Sequence, residues 1–260
     1  MRIVLVGFGG PESPDRVRPF IRSVLAGRPA PPGRVEAVAA HYDAVGGRSP
    51  YNDAAAALAA RLGEALGADV QVAFRHAEPR IADALEDGDT AVSLTPFGGG
   101  PGGDANRRAV EALGIDARWI DGWHDEPGLV HAWAERLGGS GRVVMTAHSV
   151  PVAAAEPYAG RVRDLASRVA AAAGLADWEL AWQSRSGRPS DPWLEPDVCT
   201  RVSGDVTVAP IGFVLPNVEI AYDLGVEARA AADAGFTLVP PPGAHPALVA
   251  ALAARIRAAA

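Results

Sequence analysis

The chain has 260 residues, and its 24 basic residues, all of them arginine, are outnumbered by 31 acidic residues, which gives a net charge of −7. An acidic chain without a basic run argues against general nucleic-acid binding, which requires neutralisation of phosphates. A single cysteine excludes an intramolecular disulfide framework, and no apolar run reaches the roughly 18 residues of a membrane-spanning helix, so we predict no membrane span.

Short β-rich runs alternate along the chain with longer alanine- and leucine-rich segments of helical period, which predicts βα units around a parallel sheet. The predicted strands are 2–7, 69–74, 90–95, 117–120, 142–147, 178–183, 205–210 and 236–239. The predicted helices are 14–26, 34–44, 51–66, 78–86, 104–113, 127–137, 156–173, 217–233 and 246–258. The first strand begins at the N-terminus without the zones of a signal peptide, so we expect a cytoplasmic location.

Four of the predicted strands precede residue 124 and four follow it, which predicts two similar α/β halves rather than one continuous sheet. We expect an N-terminal lobe over residues 1–124 and a C-terminal lobe over 125–260, and the terminal helix 246–258 is a candidate to pack back on the first lobe. In open parallel sheets, ligands bind beyond the carboxyl ends of the strands. The segments that follow the strands are therefore the first place to look for a site.

Two glycine-rich segments follow predicted strands. Gly7-Phe8-Gly9-Gly10 begins like a dinucleotide fingerprint, but Glu12 takes the place of the third glycine and would repel a pyrophosphate, so a tight βα turn is favoured. The stretch 98–103 lacks the lysine and hydroxyl residue of a Walker loop, and we expect a mobile loop or lid there. Phe8, Phe97 and Trp182 lie at or near strand ends, either as core residues or as walls for a flat apolar ligand.

A histidine and a glutamate in the second half are the strongest candidates for chemistry. His148 ends a strand-like run, where imidazole can face a cleft, and the alternative is a structural histidine bonded to a nearby loop. Glu219 lies in the first turn of a helix after Pro216, where helix-dipole compensation is the alternative. Ser149 suggests a hydrolase, but the Gly-x-Ser-x-Gly pattern is absent. If the strand ends face one cleft, His148 and Glu219 meet there to accept protons or to hold a metal in passage.

Five sequence blocks occur in a characteristic order over nearly the whole chain. They are Phe8-Gly9-Gly10-Pro11-Glu12-Ser13-Pro14 with Pro19-Phe20, Gly46-Gly47-Arg48-Ser49-Pro50-Tyr51-Asn52, Thr146-Ala147-His148-Ser149-Val150-Pro151, Gln183-Ser184-Arg185-Ser186-Gly187 with Pro192-Trp193-Leu194-Glu195-Pro196-Asp197, and Pro210-Ile211-Gly212-Phe213-Val214 followed by Val218-Glu219 and Tyr222-Asp223. Together these blocks resemble the ferrochelatase family, and they are most similar to the actinobacterial coproporphyrin ferrochelatases.

The resemblance implies an α/β fold with two Rossmann-like lobes, each a four-stranded parallel sheet flanked by helices, and a porphyrin cleft between them. It implies a lyase that inserts Fe²⁺ into a tetrapyrrole, coproporphyrin III above all, in haem biosynthesis. His148 and Glu219 stand at the positions of the family's catalytic histidine and glutamate, with roles in metal binding and in removing pyrrole protons. The resemblance places the substrate-binding candidates at Phe8, Arg28, Arg48, Ser49, Phe97, Ser149, Trp182 and Asn217, and it matches Arg28 and Ser49 to the propionate side.

The chain departs from the family pattern at three places. Pro216-Asn217 replaces the aspartate-histidine that usually precedes Val218-Glu219, and glycines replace the serine- and tyrosine-rich loop after the third strand. The cysteines that bind a [2Fe–2S] cluster in actinobacterial members are missing, so we predict no iron–sulfur cluster. Two alternatives therefore stay open: a diverged paralogue that acts on another metal or a smaller ligand, and a non-catalytic porphyrin or haem carrier. The sequence predicts no oligomeric state.

Overall fold

Two parallel β-sheets form the centre of the protein, which is described by a computed structural model over residues 2–27, 31–186 and 190–259. The first sheet has the strand order β2-β1-β3-β4 and contains β1 (Arg2–Gly7), β2 (Asp69–Phe74), β3 (Thr90–Ser93) and β4 (Arg118–Ile120). The second has the order β6-β5-β7-β8 and contains β5 (Val143–His148), β6 (Trp178–Gln183), β7 (Val206–Ala209) and β8 (Phe236–Leu238). Every strand pair is parallel, as the alternating pattern predicted.

Helices flank both sheets and follow the predicted order. They are α1 (Pro14–Leu25), α2 (Arg34–Ala44), α3 (Tyr51–Leu66), α4 (Ile81–Ala84), α5 (Gly100–Glu111), α6 (Pro127–Leu137), α7 (Tyr158–Ala173), α8 (Arg229–Ala231) and α9 (Pro246–Ala259), with 3-10 turns at Val152–Ala154 and Val198–Thr200 and a π-helix at Ile220–Ala228. None of the helices in these ranges combines the length and hydrophobicity that crossing a bilayer requires.

The prediction of a mobile loop over 98–103 is wrong for most of that stretch. Helix α5 begins at Gly100, so four of the glycine and proline residues form its first turn. Proline is favoured in the first turn because its missing N–H would have no partner there. Glycine composition alone indicated a loop, whereas packing against the rest of the protein makes this segment helical.

A continuous apolar core joins the two sheets. Leu5 of β1 and Met145 of β5 belong to the same cluster of buried residues, which also contains Trp133. Strands of a parallel sheet are buried on both faces, so their sequences are apolar almost throughout. Residues 3–6 of β1 and 143–145 of β5 show this pattern, with no solvent exposure.

Helix α9 ties the two halves together. It packs against α3 and α6, and Arg255 donates to Glu126 Oε1 over 2.7 Å and to the Asp121 carbonyl over 3.1 Å. The segment between the halves is therefore held by side-chain contacts on both sides of residue 124. The boundary at 124 stays a prediction, as does a separate folding unit on either side of it.

We predict that Gly128→Ala destabilises the protein by crowding α6 against α9. A Cβ at Gly128 would lie 2.7 Å from Ala251 Cβ and still closer to the Ala247 carbonyl oxygen. Overpacking of this kind costs about 1–3 kcal/mol, and urea-induced unfolding would measure the loss. Gly102→Ala is the matched control, since a Cβ there meets no described atom within 4 Å and alanine favours helix by about 1 kcal/mol. Equal unfolding midpoints for the two variants would contradict the prediction.

Candidate active site

His148 is the last residue of β5, and its position is fixed by bonds from three directions. The Ser149 amide donates to the Gln183 carbonyl of the neighbouring strand over 2.7 Å. The Tyr158 hydroxyl donates to the His148 carbonyl over 3.1 Å. The ring nitrogen Nδ1 contacts the Ser149 carbonyl oxygen. About a third of the side chain remains exposed (33%), so the ring lies at the surface of the strand-end edge.

Glu219 reaches His148 because the chain after β7 crosses closely over the end of β5. The Gly212 amide donates to the Thr146 carbonyl over 3.0 Å. A Cβ at Gly212 would lie 2.6 Å from Ala147 Cβ, so only glycine permits this approach. Glu219 Oε1 then lies 3.5 Å from His148 Nε2. The structure therefore brings together the two residues that the sequence singled out.

The helix that follows Glu219 is a π-helix, which corrects the ordinary helix predicted over 217–233. Its i→i+5 hydrogen bonds extend over Ile220–Ala228 before α8 continues it. Asn217 Oδ1 accepts the Ile220 amide over 3.0 Å, so this side chain is used at the start of the helix. Such π-helical turns are rare and occur frequently at functional sites.

The charge of Glu219 sets the protonation state of His148. Burial lowers the pKa of His148, but the negative charge of Glu219 and hydrogen bonding to it outweigh burial and raise the pKa to about 9. The imidazole is therefore protonated at neutral pH and faces a carboxylate.

Asp223 is a third ionisable group at this site, and it was not among the predicted site residues, although it belongs to the fifth sequence block. Burial raises its pKa to about 7, and although a hydrogen bond from Ser184 opposes this, the negative charges of Glu219 and Glu227 add to it. Ser184 follows β6 with a positive φ of 62°, which places its hydroxyl against the Asp223 carboxylate. A spacing of four residues from Glu219 on the same predicted helix is the signal that could have revealed Asp223.

Several of the predicted substrate-binding residues lie in the core beneath the pair. Phe97 and Trp182 are buried, and both rings pack against Tyr158, with centroids 5.4 and 6.1 Å away. Ser149 is buried too, and its hydroxyl donates to the Leu194 carbonyl over 2.9 Å. The contacts described for these three side chains are with other groups of the protein, and their roles toward a substrate stay predictions.

The remaining candidates follow the first sheet. Phe8 is 36% exposed just beyond β1, and the Arg75 guanidinium lies 4.9 Å from its ring centroid. Ser49 is buried against Gly10, whereas Arg48 pairs with Asp53 on the surface. Arg28 lies outside the described residues. Among the described residues, no hydrogen bond or ion pair links Arg48 or Ser49 directly to His148 or Glu219.

The site offers fewer metal donors than a resident metal site uses. Within the described ranges, no group of three or more histidine, cysteine, aspartate or glutamate side chains is placed to hold a metal ion. Structural zinc sites use four protein ligands, and catalytic sites usually use three. His148 and Glu219 offer two donors, which leaves most positions on a metal ion open to another ligand.

Two Rossmann-like lobes, each a four-stranded parallel sheet flanked by helices, define the fold, and the histidine–carboxylate pair lies at the strand ends of the second sheet. Two solved structures share the fold over the whole chain. "The structure of CbiX, the terminal Enzyme for Biosynthesis of Siroheme in Denitrifying Bacteria" matches with a TM-score of 0.63 and 18% identity, covering 100% of both chains. "SirB from Bacillus subtilis with Fe3+" matches with a TM-score of 0.52 and 16% identity, covering 100% of this chain and 96% of that one.

The chain belongs to the ferrochelatase family, whose model matches residues 2–260. It is 41% identical over 270 aligned residues to the coproporphyrin III ferrochelatase of Mycobacterium ulcerans, covering 91% of this chain and 79% of the relative. It is 38% identical to the enzyme of the same name from Mycobacteroides abscessus, covering 87% and 78% of the two chains. These findings confirm the predicted resemblance, and membership assigns the protein to the enzymes of haem synthesis that insert a metal into a tetrapyrrole.

We predict that Glu219→Gln lowers the pKa of His148 from about 9 to near or below the unperturbed value of about 6.5. Glutamine removes the charge that stabilises the imidazolium, while burial continues to favour the neutral ring. An NMR titration of the His148 ring protons would measure the change. Glu227→Gln is the control, because Glu227 is an exposed carboxylate of the same π-helix. The same His148 pKa in both variants would show that Glu219 does not set it.

Proposed function

We propose that this chain inserts Fe²⁺ into coproporphyrin III and that His148 and Glu219 act on the metal and on the pyrrole protons. The observation that carries the proposal is the 3.5 Å approach of His148 Nε2 to Glu219 Oε1 at the strand-end edge. Membership of the ferrochelatase family supports the reaction, and the coproporphyrin III ferrochelatases at 37–41% identity support the choice of ring.

The reaction requires proton acceptors and a route for the metal. A porphyrin loses two N–H protons when a divalent metal enters, so Fe²⁺ and the free ring give the metallated ring and two protons. A proton acceptor must lie within hydrogen-bond reach of the group that loses the proton. The His148 imidazole is protonated at neutral pH, because its pKa is raised to about 9. It can accept a further proton only after it has lost that one.

In the neutral form of His148, the lone pair lies on Nε2, the ring nitrogen that faces Glu219. The contact of Nδ1 with the Ser149 carbonyl oxygen favours a proton on Nδ1, because a carbonyl only accepts hydrogen bonds. Once the imidazolium loses its other proton, the Nε2 lone pair points toward Glu219. Metal binding to histidine requires this neutral form and releases the proton. Nε2 and the Glu219 carboxylate can then share the metal before it enters the ring.

Asp223 adds a third ionisable group beside the pair. Its pKa of about 7 lets it change protonation state near neutrality, which is the property of an efficient general base. We assign to Asp223 a role in taking up protons that leave the His148–Glu219 pair, with Ser184 holding its carboxylate in place. Asn217 has no such role, since its Oδ1 accepts the Ile220 amide.

The chemistry that we propose uses no iron–sulfur cluster. A [2Fe–2S] cluster takes four protein ligands, which are usually cysteines, and the chain has one cysteine, Cys199. The cytoplasmic location predicted from the sequence remains part of this proposal.

We predict that the purified protein inserts Fe²⁺ into coproporphyrin III under anaerobic conditions and that His148→Ala lowers kcat by about 10²–10⁴-fold, the range for loss of a general base. Absorption spectra would follow insertion, and fluorescence quenching would measure ring binding, which we expect His148→Ala to retain. His131→Ala is the matched control, because His131 is an exposed histidine of α6 next to Glu135.

Two outcomes would count against the proposal in different ways. Ring binding without insertion of Fe²⁺, Zn²⁺, Co²⁺, Ni²⁺ or Cu²⁺ would indicate a porphyrin carrier. Insertion of another of these metals alone, or no binding of coproporphyrin III, would indicate a diverged paralogue.

We predict that kcat/KM for the metal ion rises with pH and levels off near pH 9. The pKa of His148 is raised to about 9, so the ring is charged below that pH and must lose its proton before it binds the metal. Below the pKa, kcat/KM should change about tenfold per pH unit. In Glu219→Gln the rising part of the profile should move to lower pH, even though the maximal rate falls. A profile that is flat between pH 6 and 9 would show that the reaction does not require neutral His148.

A further inference from the structure

Tyr158 contacts the candidate active site, although the sequence did not single it out. It is the first residue of α7 and is 8% exposed. Its hydroxyl donates to the His148 carbonyl over 3.1 Å. The contact is to the main chain of the residue whose side chain faces Glu219.

The His148 carbonyl has no hydrogen-bond partner in β7, because the pairing between β7 and β5 ends before His148. Strand β7 pairs with β5 only over Val143–Met145, so its ladder ends three residues before His148. Backbone carbonyls away from water are almost always hydrogen-bonded. The Tyr158 hydroxyl supplies this bond from outside the sheet and thereby fixes the direction in which β5 ends.

The tyrosine ring is itself held on three sides. Phe97 meets it edge to face at 5.4 Å and 88°, and Trp182 packs against it at 6.1 Å. On the third side, a Cβ at Gly100 would lie 2.8 Å from Tyr158 Cβ, and one at Gly99 would lie 3.0 Å from Pro157 Cγ.

The glycines explain how α5 comes so close to α7. Gly99 and Gly100 have positive φ values of 78° and 77°, which side chains other than glycine rarely adopt. The first turn of α7 therefore packs directly against the glycine-rich stretch. Burial, together with the charge of Glu219, raises the pKa of Tyr158, so its hydroxyl remains a donor over the range in which activity is measured.

We propose that Tyr158 is a positioning residue for metal insertion. Its ring is held between Phe97, Trp182 and the glycine-rich start of α5. Its hydroxyl fixes the His148 main chain so that Nε2 faces Glu219. This role rests on the proposed chelatase activity for its effect on rate. The effect on the His148 ring is independent of that activity.

The test is Tyr158→Phe, which keeps the packed ring and removes the hydroxyl. We expect kcat to fall about tenfold or more, as misplacement of a reacting group does, while the KM for coproporphyrin III and the melting temperature stay unchanged. In the ligand-free protein, the His148 ring cross-peak in a ¹H–¹³C NMR spectrum should shift at fixed pH. Tyr222→Phe is the matched control, because the Tyr222 ring stacks on His41 at 3.9 Å instead, and we expect neither change.

Each outcome decides the question. An unchanged kcat with an unchanged His148 cross-peak overturns the proposal. A fall in kcat with an equal fall for Tyr222→Phe, or with a lower melting temperature and a raised KM, assigns a general structural role and also overturns it. If the unaltered protein inserts no metal, the proposed function fails, and the His148 cross-peak alone decides whether Tyr158 positions the ring.

Discussion

The close approach of the chain after β7 to the end of β5 is the constraint on which the candidate site depends. Gly212 lies against Ala147 with no room for a side chain. Because of this contact, Glu219 enters the π-helix at a point where its carboxylate faces His148. The attraction between a partly buried carboxylate and an imidazolium then stabilises the charged form of the histidine. Backbone packing therefore determines how close His148 and Glu219 lie, and this distance determines how strongly the carboxylate raises the pKa of His148.

The rest of the fold holds this arrangement firmly. The same apolar cluster includes Leu5 of the first sheet and Met145 of the second, so the halves share part of their interior, and each half has a further cluster of its own. Helix α9 adds polar bonds, since Arg255 binds the segment that joins the halves. Under the proposed function, the site acts on a flat ring, and a firm support keeps its side chains in place while they do so. Sharing a core between the sheets provides that support.

The proposed chemistry requires a site that holds a metal and then releases it. Several strong donors around one point would bind the metal tightly and keep it. His148 and Glu219 provide two donors, and the imidazole is protonated at neutral pH. Asp223, whose pKa is raised by burial to about 7, is a nearby group that changes protonation state near neutrality. In the proposed mechanism, a metal that reaches His148 displaces its proton and keeps open positions for the pyrrole nitrogens.

The sequence by itself determined the order of strands and helices, because apolar β-rich runs and helical periods are local properties. It also determined His148 and Glu219 as candidates, since both follow strands whose carboxyl ends lie at one edge, and the motif blocks placed them in the ferrochelatase family. Only the tertiary structure decided that Ile220–Ala228 is π-helical, that Gly100 begins a helix, and that Ser184 and Tyr158 support the site. These features depend on contacts between segments far apart in the chain, and such contacts cannot be predicted from local propensity.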